Sequence, residues 1–141
     1  MHARALIAED EPLLAQALAA DLARLWPDLT VVDRVGDGDA ALASALRLQP
    51  DICFLDIRMP GLSGLEVAQA LAEDWPDQGA APFPLLVFVT AYDQYALTAF
   101  DAQAVDYLVK PVQPARLVAC VQRLQARLAE RARPAPGDGQ P

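Results

Sequence analysis

The sequence predicts an α/β domain of the (βα)5 type, a doubly wound parallel sheet of five strands with helices on both faces. Short apolar runs alternate with stretches of helical periodicity along its 141 residues. The apolar runs show little polar alternation, which is typical of strands that are buried on both faces. Right-handed crossovers between parallel strands then favour the strand order 2-1-3-4-5.

The strands are predicted at short runs in which apolar and β-branched residues predominate. The run DICFLD places apolar residues on both faces of the strand that it predicts, so we expect this strand to be the most buried. The predicted strands span residues 3–8, 30–35, 51–56, 84–89 and 104–109.

The helices are predicted from apolar residues that recur every three or four positions. Pro12 suits a first helical turn, Asp37 is a suitable N-cap, and Pro27 and Pro50 follow helix ends. In the last helix the recurring positions form one apolar stripe, Leu117, Val121, Leu124 and Leu128. We expect most of this stripe to pack on the sheet, with about one turn left for a partner. The predicted helices span residues 10–25, 38–48, 65–71, 93–103 and 114–131.

The connecting segments define one domain and a tail. Residues 59–64 form a turn-rich loop, and the loop at 75–84 is long for a connection between a helix and a strand. We assign residues 1–131 to the domain. Residues 132–141 are rich in proline and glycine and are interpreted as a linker or a disordered tail.

Composition excludes several classes of function. The net charge of -8 and the pI of about 4.4 argue against binding of nucleic acid or an anionic membrane by this segment. No apolar run has the roughly 20 residues that span a bilayer, and the start does not resemble a signal peptide, so we expect a cytoplasmic location. His2 is the only histidine, which excludes Ser-His-Asp and Cys-His catalysis. Cys53 and Cys120 lie in apolar runs and are interpreted as small buried residues.

Polar residues follow four of the predicted strands at their carboxyl ends. They are Glu9-Asp10-Glu11, Asp56, Thr90 and Lys110, the only lysine in the chain. Such strand ends meet in one crevice of an open parallel sheet, so we expect these side chains to converge. Acids near the start of a helix also act as caps, but one would suffice. Adjacent carboxylates opposite Asp56 favour a site for Mg²⁺ or Mn²⁺.

Two interpretations of Asp56 stand side by side. It is either a structural ion pair with Lys110 or a nucleophile that accepts a phosphoryl group. In the second case a divalent cation would neutralise the transferred group, and Lys110 would pair with one of its oxygens. The Thr90 hydroxyl would hydrogen-bond another oxygen, although a β-branched residue at a strand end is common without any such role.

The set Glu9-Asp10, Asp56 in DIRMPGLSG, Thr90-Ala91 and Lys110-Pro111 resembles the receiver domain of two-component response regulators, over residues 4 to about 128. This resemblance implies a flavodoxin-like fold and a signalling switch, not a turnover enzyme on a separate substrate. It implies that Asp56 accepts a phosphoryl group from a sensor histidine kinase. Lys110 and Thr90 would bind the phosphoryl oxygens.

The resemblance also assigns supporting roles. Mg²⁺ would be held by Glu9, Asp10, Asp56 and the backbone carbonyl of Arg58. The backbone of Ile57 and Ala91 would bind phosphate. Tyr107 matches an aromatic switch residue that moves with Thr90. Arg58 and Tyr92 occupy positions that tune the phosphoryl lifetime, and we expect this bulky pair to shield Asp56 from water.

Residues 90–112 are similar to receivers that are joined to a LytTR-type (LytR/AlgR-like) DNA-binding domain. That similarity implies that DNA is bound only by an output domain outside this chain, and that the output is transcription. The output face would comprise the helix at 93–103, the strand at 105–109 and the helix at 114–131. A homodimer through this face on phosphorylation is expected.

Three alternatives remain at this stage. A hydrolase with an aspartate nucleophile would need an acid two residues after Asp56, where the chain has Arg58. A flavodoxin-like binding module would need a Gly/Ser/Thr-rich phosphate loop, where the chain has EDEP. An inactive receiver-like interaction module usually lacks one of the acids, the threonine or the lysine, and all are present here.

Overall fold

The computed structural model describes residues 2–79, 81–92, 98 and 103–132. It confirms the predicted α/β architecture. The strands are β1 (Ala3–Ala8), β2 (Leu29–Val35), β3 (Ile52–Leu55), β4 (Leu85–Thr90) and β5 (Asp106–Val109). They form one sheet in the order β2-β1-β3-β4-β5, and each neighbouring pair is parallel. β5 is two residues shorter at its start than the strand predicted at 104–109.

Four of the predicted helices lie among the described residues. They are α1 (Pro12–Leu25), α2 (Gly38–Leu48), α3 (Gly64–Asp74) and the C-terminal helix α4 (Pro114–Ala132). Asp37 caps α2 as expected, because its side chain accepts a hydrogen bond from the backbone N–H of Ala40 at 2.7 Å. The helix predicted at 93–103, with its residues Tyr95, Ala99 and Phe100, falls mostly outside the described residues. So does the tail at 133–141.

The sheet separates two apolar layers. One layer packs α1 and α4 on the sheet and contains Leu22, Phe54 and Cys120. The other packs α2 and α3 on the opposite face and contains Leu6, Cys53 and Phe88. Both cysteines are fully buried, as the sequence predicts. Among the described residues, no helix is long and apolar enough to cross a membrane.

The apolar stripe of α4 is more completely buried than the sequence suggests. Its members are at most 7% exposed: Leu117, Val121, Leu124 and Leu128. The expectation that one turn of the stripe is left for a partner is therefore wrong. The stripe lies in the apolar layer that also contains Val87 of β4 and Leu108 of β5. The exposed large apolar residue of this helix is Val118, at 37% exposure.

The long loop between α3 and β4 is held by side chains at the edge of the sheet where the strands begin. The Trp75 indole N–H donates to the Ala81 carbonyl at 2.9 Å, and the ring meets Phe83 edge to face at 5.6 Å. The Arg131 guanidinium, at the end of α4, donates to the Phe83 carbonyl. The loop therefore ties the end of α3 to the end of α4, far from the carboxyl ends of the strands.

Candidate functional site

The four predicted polar positions meet at the carboxyl edge of the sheet. Backbone hydrogen bonds continue the strand pairing there, from Asp56 N–H to the Ala8 carbonyl at 2.9 Å and from Lys110 N–H to the Thr90 carbonyl at 2.8 Å. These bonds fix where each side chain leaves the sheet. Residues more than 50 positions apart in sequence are thereby brought into contact.

Lys110 is the centre of the cluster. Its ammonium donates to Asp56 Oδ2 at 2.9 Å and to Glu9 Oε1. The side chains of Lys110, Glu9 and Asp56 are 16%, 7% and 8% exposed, so both ion pairs lie largely out of water. The lone amine of the sequence is thus shared between two buried carboxylates.

A third carboxylate completes the group. Oxygens of Glu9, Asp10 and Asp56 lie within 4.8 Å of one another. The set offers hard oxygen donors and carries more negative charge than Lys110 neutralises, so it fits a small divalent cation such as Mg²⁺. Glu11 was predicted in the same cluster, but it is the N-cap residue of α1 and is exposed. Its backbone N–H donates to Glu9 Oε2 at 3.1 Å, which orients Glu9.

The pKa values of the cluster follow from burial and from these contacts. Burial raises the pKa of Glu9 to about 7, with the charge of Asp56 acting in the same direction and the hydrogen bond from Lys110 acting against it. For Lys110, burial lowers the pKa, but the hydrogen bonds to Asp56 and Glu9 outweigh it and the net pKa is raised. The ammonium therefore stays charged while one carboxyl holds its proton more tightly than usual.

The segment after β3 packs closely on the backbone of Asp56. Gly64 begins α3, and a Cβ atom at this position would lie 2.2 Å from the Asp56 carbonyl oxygen. The Gly64 N–H donates to the Ile57 carbonyl at 2.8 Å. Ser63 and Glu66 form a reciprocal capping box at the same helix start. A glycine and a cap together hold the short segment that contains Ile57 and Arg58.

The two residues that the sequence predicts to form a switch lie beside the cluster. Thr90 is fully buried, and its Oγ1 accepts a hydrogen bond from the Tyr92 backbone N–H at 3.4 Å. Tyr107 is half-buried, and its hydroxyl donates to the Tyr92 carbonyl. The Arg58 guanidinium carbon lies 4.4 Å from the centre of the Tyr92 ring, a cation–π contact. The structure thus brings Arg58 and Tyr92 into contact, and a shield over Asp56 stays a prediction.

A small apolar cavity of about 150 Å³ borders the cluster on the side of α1 and α4. Lys110 and Asp56 line it together with Leu14, Leu18, Phe54, Pro111, Val112 and Leu117. Glu9 also borders this cavity, whose apolar lining contributes to the burial that raises the pKa of Glu9.

Sequence reasoning missed a second ion cluster at the start of β5. Arg116 donates to both carboxylate oxygens of Asp106, at 3.0 Å to Oδ2, and Arg123 reaches Oδ1 at 3.1 Å. Burial raises the pKa of Asp106, but the hydrogen bonds from Arg116 and the Tyr107 N–H and the charges of both arginines outweigh it, so the pKa is lowered. The available signal was a lone carboxylate inside the apolar run AVDYLV.

Comparison with known proteins identifies the family in which this fold and this set of polar residues occur. Residues 5–122 match the family model described as the response regulator receiver domain. An uncharacterized response regulatory protein of Vibrio cholerae is 45% identical over 130 residues, which are 92% of this chain and 48% of the relative. The positive alginate biosynthesis regulatory protein of Pseudomonas aeruginosa is 42% identical over 118 residues, which are 84% of this chain and 45% of the relative.

Solved structures agree with the sequence comparison. The REC domain of AraT, a response regulator from Geobacillus stearothermophilus, is similar with a TM-score of 0.82 and 30% identity, over 94% of this chain and 100% of the solved one. The chain spans about half the length of the curated relatives that it matches.

Proposed function

Because this chain belongs to the family of response regulator receiver domains, we propose that Asp56 accepts a phosphoryl group from a phosphohistidine of a sensor kinase. The observation that carries this proposal is the buried contact between Lys110 and Asp56 beside two further carboxylates. A structural ion pair alone would need one carboxylate, whereas phosphoryl transfer to an aspartate needs a cation, a carboxylate and an ammonium together.

Each residue of the site then has a task. Glu9, Asp10 and Asp56, with the backbone carbonyl of Arg58, would hold Mg²⁺, which neutralises charge on the transferred group. Lys110 would move from its carboxylate partners to a phosphoryl oxygen, and Thr90 would donate its hydroxyl to another. The backbone N–H groups of Ile57 and Ala91 would donate hydrogen bonds to the remaining phosphoryl oxygens.

The proposed output lies outside this chain. The relative from Pseudomonas aeruginosa is named as a regulatory protein, and this chain spans less than half of it. We propose that a LytTR-type DNA-binding domain follows the receiver in the whole protein and that phosphorylation controls transcription. Because kinase and DNA would both be reached from the cytoplasm, the proposal places the protein there.

Phosphorylation is proposed to act through the face that includes β5 and α4. Exposed apolar residues on these elements, Val109 at 42% and Val118 at 37%, support a homodimer through this face in the phosphorylated form. The new contacts of Thr90 with the phosphoryl group would favour one arrangement of the following segment, which is a population shift. Tyr107 would follow Thr90 as the second switch residue.

Intact mass spectrometry tests the proposal. After incubation with Mg²⁺ and acetyl phosphate, we expect a gain of about 80 Da, one phosphoryl group. The gain should vanish in Asp56→Asn and in EDTA. Asp74→Asn, an exposed aspartate at the end of α3, is the matched control and should still gain the mass.

The negative result also has a defined meaning. Some receivers do not accept small phosphodonors, so beryllofluoride is the second probe. If neither reagent changes the mass or the NMR signals of Thr90 and Tyr107, the proposal fails and an interaction module is the better description.

A further inference from the structure

The first residue of α2 packs against the β3–α3 segment, residues 57–63. Gly38 is buried, and its N–H donates to the Pro60 carbonyl at 3.0 Å. A Cβ atom at Gly38 would lie 1.9 Å from the Leu62 carbonyl oxygen and 2.5 Å from the carbonyl carbon. These are backbone atoms, which cannot rotate away as the end of a side chain can. The segment therefore lies where it does only while α2 begins with a glycine.

A second glycine makes a contact from the side of the segment. Gly61 has a φ of +73°, a left-handed conformation that favours glycine. A Cβ atom at Gly61 would lie 2.2 Å from Oδ2 of Asp39, which is in the first turn of α2. That carboxylate is the end of a flexible side chain, so this contact yields more easily than the contact of Gly38 with Leu62. Two successive residues of α2 thus touch the same turn of the segment.

The two ends of the β3–α3 segment are also held together. Gly64 follows the segment, and a Cβ atom there would lie 2.2 Å from the Asp56 carbonyl oxygen and 3.1 Å from Ile57 Cα. Within the segment, the side chains of Met59 and Leu62 pack against the apolar layer beneath α2 and α3. A displacement of Leu62 therefore reaches residues 57–59, because the segment is short and is fixed at both ends.

The helix on the other side of the contact is held more firmly. α2 has 11 residues, and Ala41 and Ala45 on its inner face are fully buried. The Ser44 hydroxyl donates to Oδ2 of Asp33 at 2.6 Å, which ties the helix to β2 at the edge of the sheet. If a methyl group were added at Gly38, the shorter β3–α3 segment would yield before α2 does.

One ligand of the proposed Mg²⁺ site belongs to the β3–α3 segment. Glu9 and Asp56 are fixed at strand ends, where their N–H groups donate to the carbonyls of Val35 and Ala8, each at 2.9 Å. The backbone carbonyl of Arg58 lies within the segment instead, so its place depends on how the segment packs. A change at the start of α2 would thus move one proposed ligand relative to the carboxylates.

We propose that Gly38 is a positioning residue for the Mg²⁺ site at the carboxyl edge of the sheet. It acts by leaving room for the β3–α3 segment, which carries the Arg58 carbonyl. This proposal rests on the metal site of the proposed function. It adds that the start of α2, which supplies none of the proposed ligands, sets the affinity for the cation.

Titration of the whole chain with MgCl2 at one pH, followed by the backbone amide NMR signals, measures the dissociation constant for Mg²⁺. In Gly38→Ala we expect a constant about ten-fold higher than in the wild type, the usual effect when a group that orients a metal ligand is lost. The signals of residues 57–59 should also differ from the wild type in EDTA, before any metal is added. This second readout reports the displacement of the segment itself.

Two glycines of nearly equal φ form a matched pair of controls. Gly61 and Gly79 have φ values of +73° and +72°, so alanine strains the backbone about equally at both positions. Gly79 lies in the loop between α3 and β4, and a Cβ atom there would meet nothing within 4 Å. Gly61→Ala should raise the Mg²⁺ dissociation constant, by less than Gly38→Ala because the Asp39 side chain can rotate away. Gly79→Ala should lose stability with the dissociation constant unchanged.

The outcomes separate this proposal from the proposed function. If Gly38→Ala and Gly61→Ala bind Mg²⁺ with the wild-type constant, the positioning role is wrong while the proposed function stands. Equal rises in Gly61→Ala and Gly79→Ala would assign the effect to lost stability and would also overturn it. If Gly38→Ala does not fold, the matched pair decides alone. If the wild type itself does not respond to Mg²⁺, the metal site and this proposal fall together, and the mass measurement decides whether Asp56 accepts a phosphoryl group.

Discussion

Two ion clusters among the described residues are built with opposite imbalances of charge. At the carboxyl edge of the sheet, Glu9 and Asp56 share a single lysine, and the exposed carboxylate of Asp10 lies beside them. At the start of β5 and along α4, a single carboxylate, that of Asp106, has two arginines. The pKa of Glu9 is raised, whereas the pKa of Asp106 is lowered.

The difference separates a binding site from a structural contact. Asp106 is 3% exposed, and its two arginines are 39% and 58% exposed, so the excess positive charge reaches water. In the other cluster Asp10 is exposed, but Glu9 and Asp56 are at most 8% exposed and have one ammonium between them, so a negative charge in excess is buried. An uncompensated buried charge is unfavourable, which is why that cluster is suited to a cation from solution. Stability is given up where the chain is proposed to bind a cation.

The largest effect is expected from removal of the shared lysine. Lys110→Ala leaves Glu9 and Asp56 buried without a partner, and we expect a loss of about 3 kcal/mol in the free energy of unfolding. Urea denaturation at pH 7 in EDTA measures it. Addition of Mg²⁺ should restore part of the loss, because a cation would then compensate the carboxylates.

The opposite result would contradict the comparison between the clusters. If Lys110→Ala is as stable as the wild type in EDTA, the carboxylates do not depend on the ammonium. The lysine would then serve only the phosphoryl group.

A smaller effect is expected from the balanced cluster. Asp106→Asn removes the charge that both arginines share, and since Arg116 and Arg123 are partly solvated we expect a loss of about 1.5 kcal/mol, unaffected by Mg²⁺. Asp21→Asn is the matched control, because Asp21 pairs with Arg24 on the exposed surface of α1. Its free energy of unfolding should change by no more than about 0.5 kcal/mol. Equal losses in the two variants would show that burial of Asp106 adds nothing.

The smallest effect is the change in stability per unit of pH. Glu9 has a pKa of about 7 in the folded chain and 4.5 as its ordinary value, so between these values the folded chain binds more protons than the unfolded one. Stability therefore falls as pH rises from 4.5 to 7, by at least about 1 kcal/mol. Asp106 does not make stability depend on pH in this range. Its pKa is lowered, so its contribution to the free energy of unfolding is fully present above its ordinary pKa and is lost only at lower pH.

Urea denaturation at several pH values in EDTA measures this slope. Glu9→Gln should flatten it relative to the wild type. An identical slope in both proteins would mean that another group is responsible.

The strands and helices were predictable because their apolar residues recur with a regular period. The convergence of the polar side chains at the site was predictable as well. Strand ends marked by Glu9, Asp56, Thr90 and Lys110 need only parallel topology to meet, and that topology follows from alternating strands and helices. The strand order and the burial of both cysteines follow from the same pattern. Sequence could assign roles to these residues only through resemblance to a family.

Contacts that depend on side-chain direction were not predictable. Nothing in the spacing of Asp106, Arg116 and Arg123 shows that a strand and a helix place them together, because the intervening turn sets the geometry. The burial of the whole α4 stripe depends on how far β4 and β5 extend beneath it. The contact of Tyr92 with Arg58 joins two loops, and loop geometry has no period for a pattern to reveal.

The distribution of the two cysteines gives the chain a pair of internal reporters. Cys53 lies in the layer beneath α2 and α3, and Cys120 lies in the layer beneath α1 and α4. Burial raises the pKa of each thiol to about 12, so neither is a thiolate while its layer is closed. Alkylating reagents would therefore mark each thiol only when its own side of the sheet opens. Peptide mapping of the two adducts would time the opening of the two sides separately in the natural sequence.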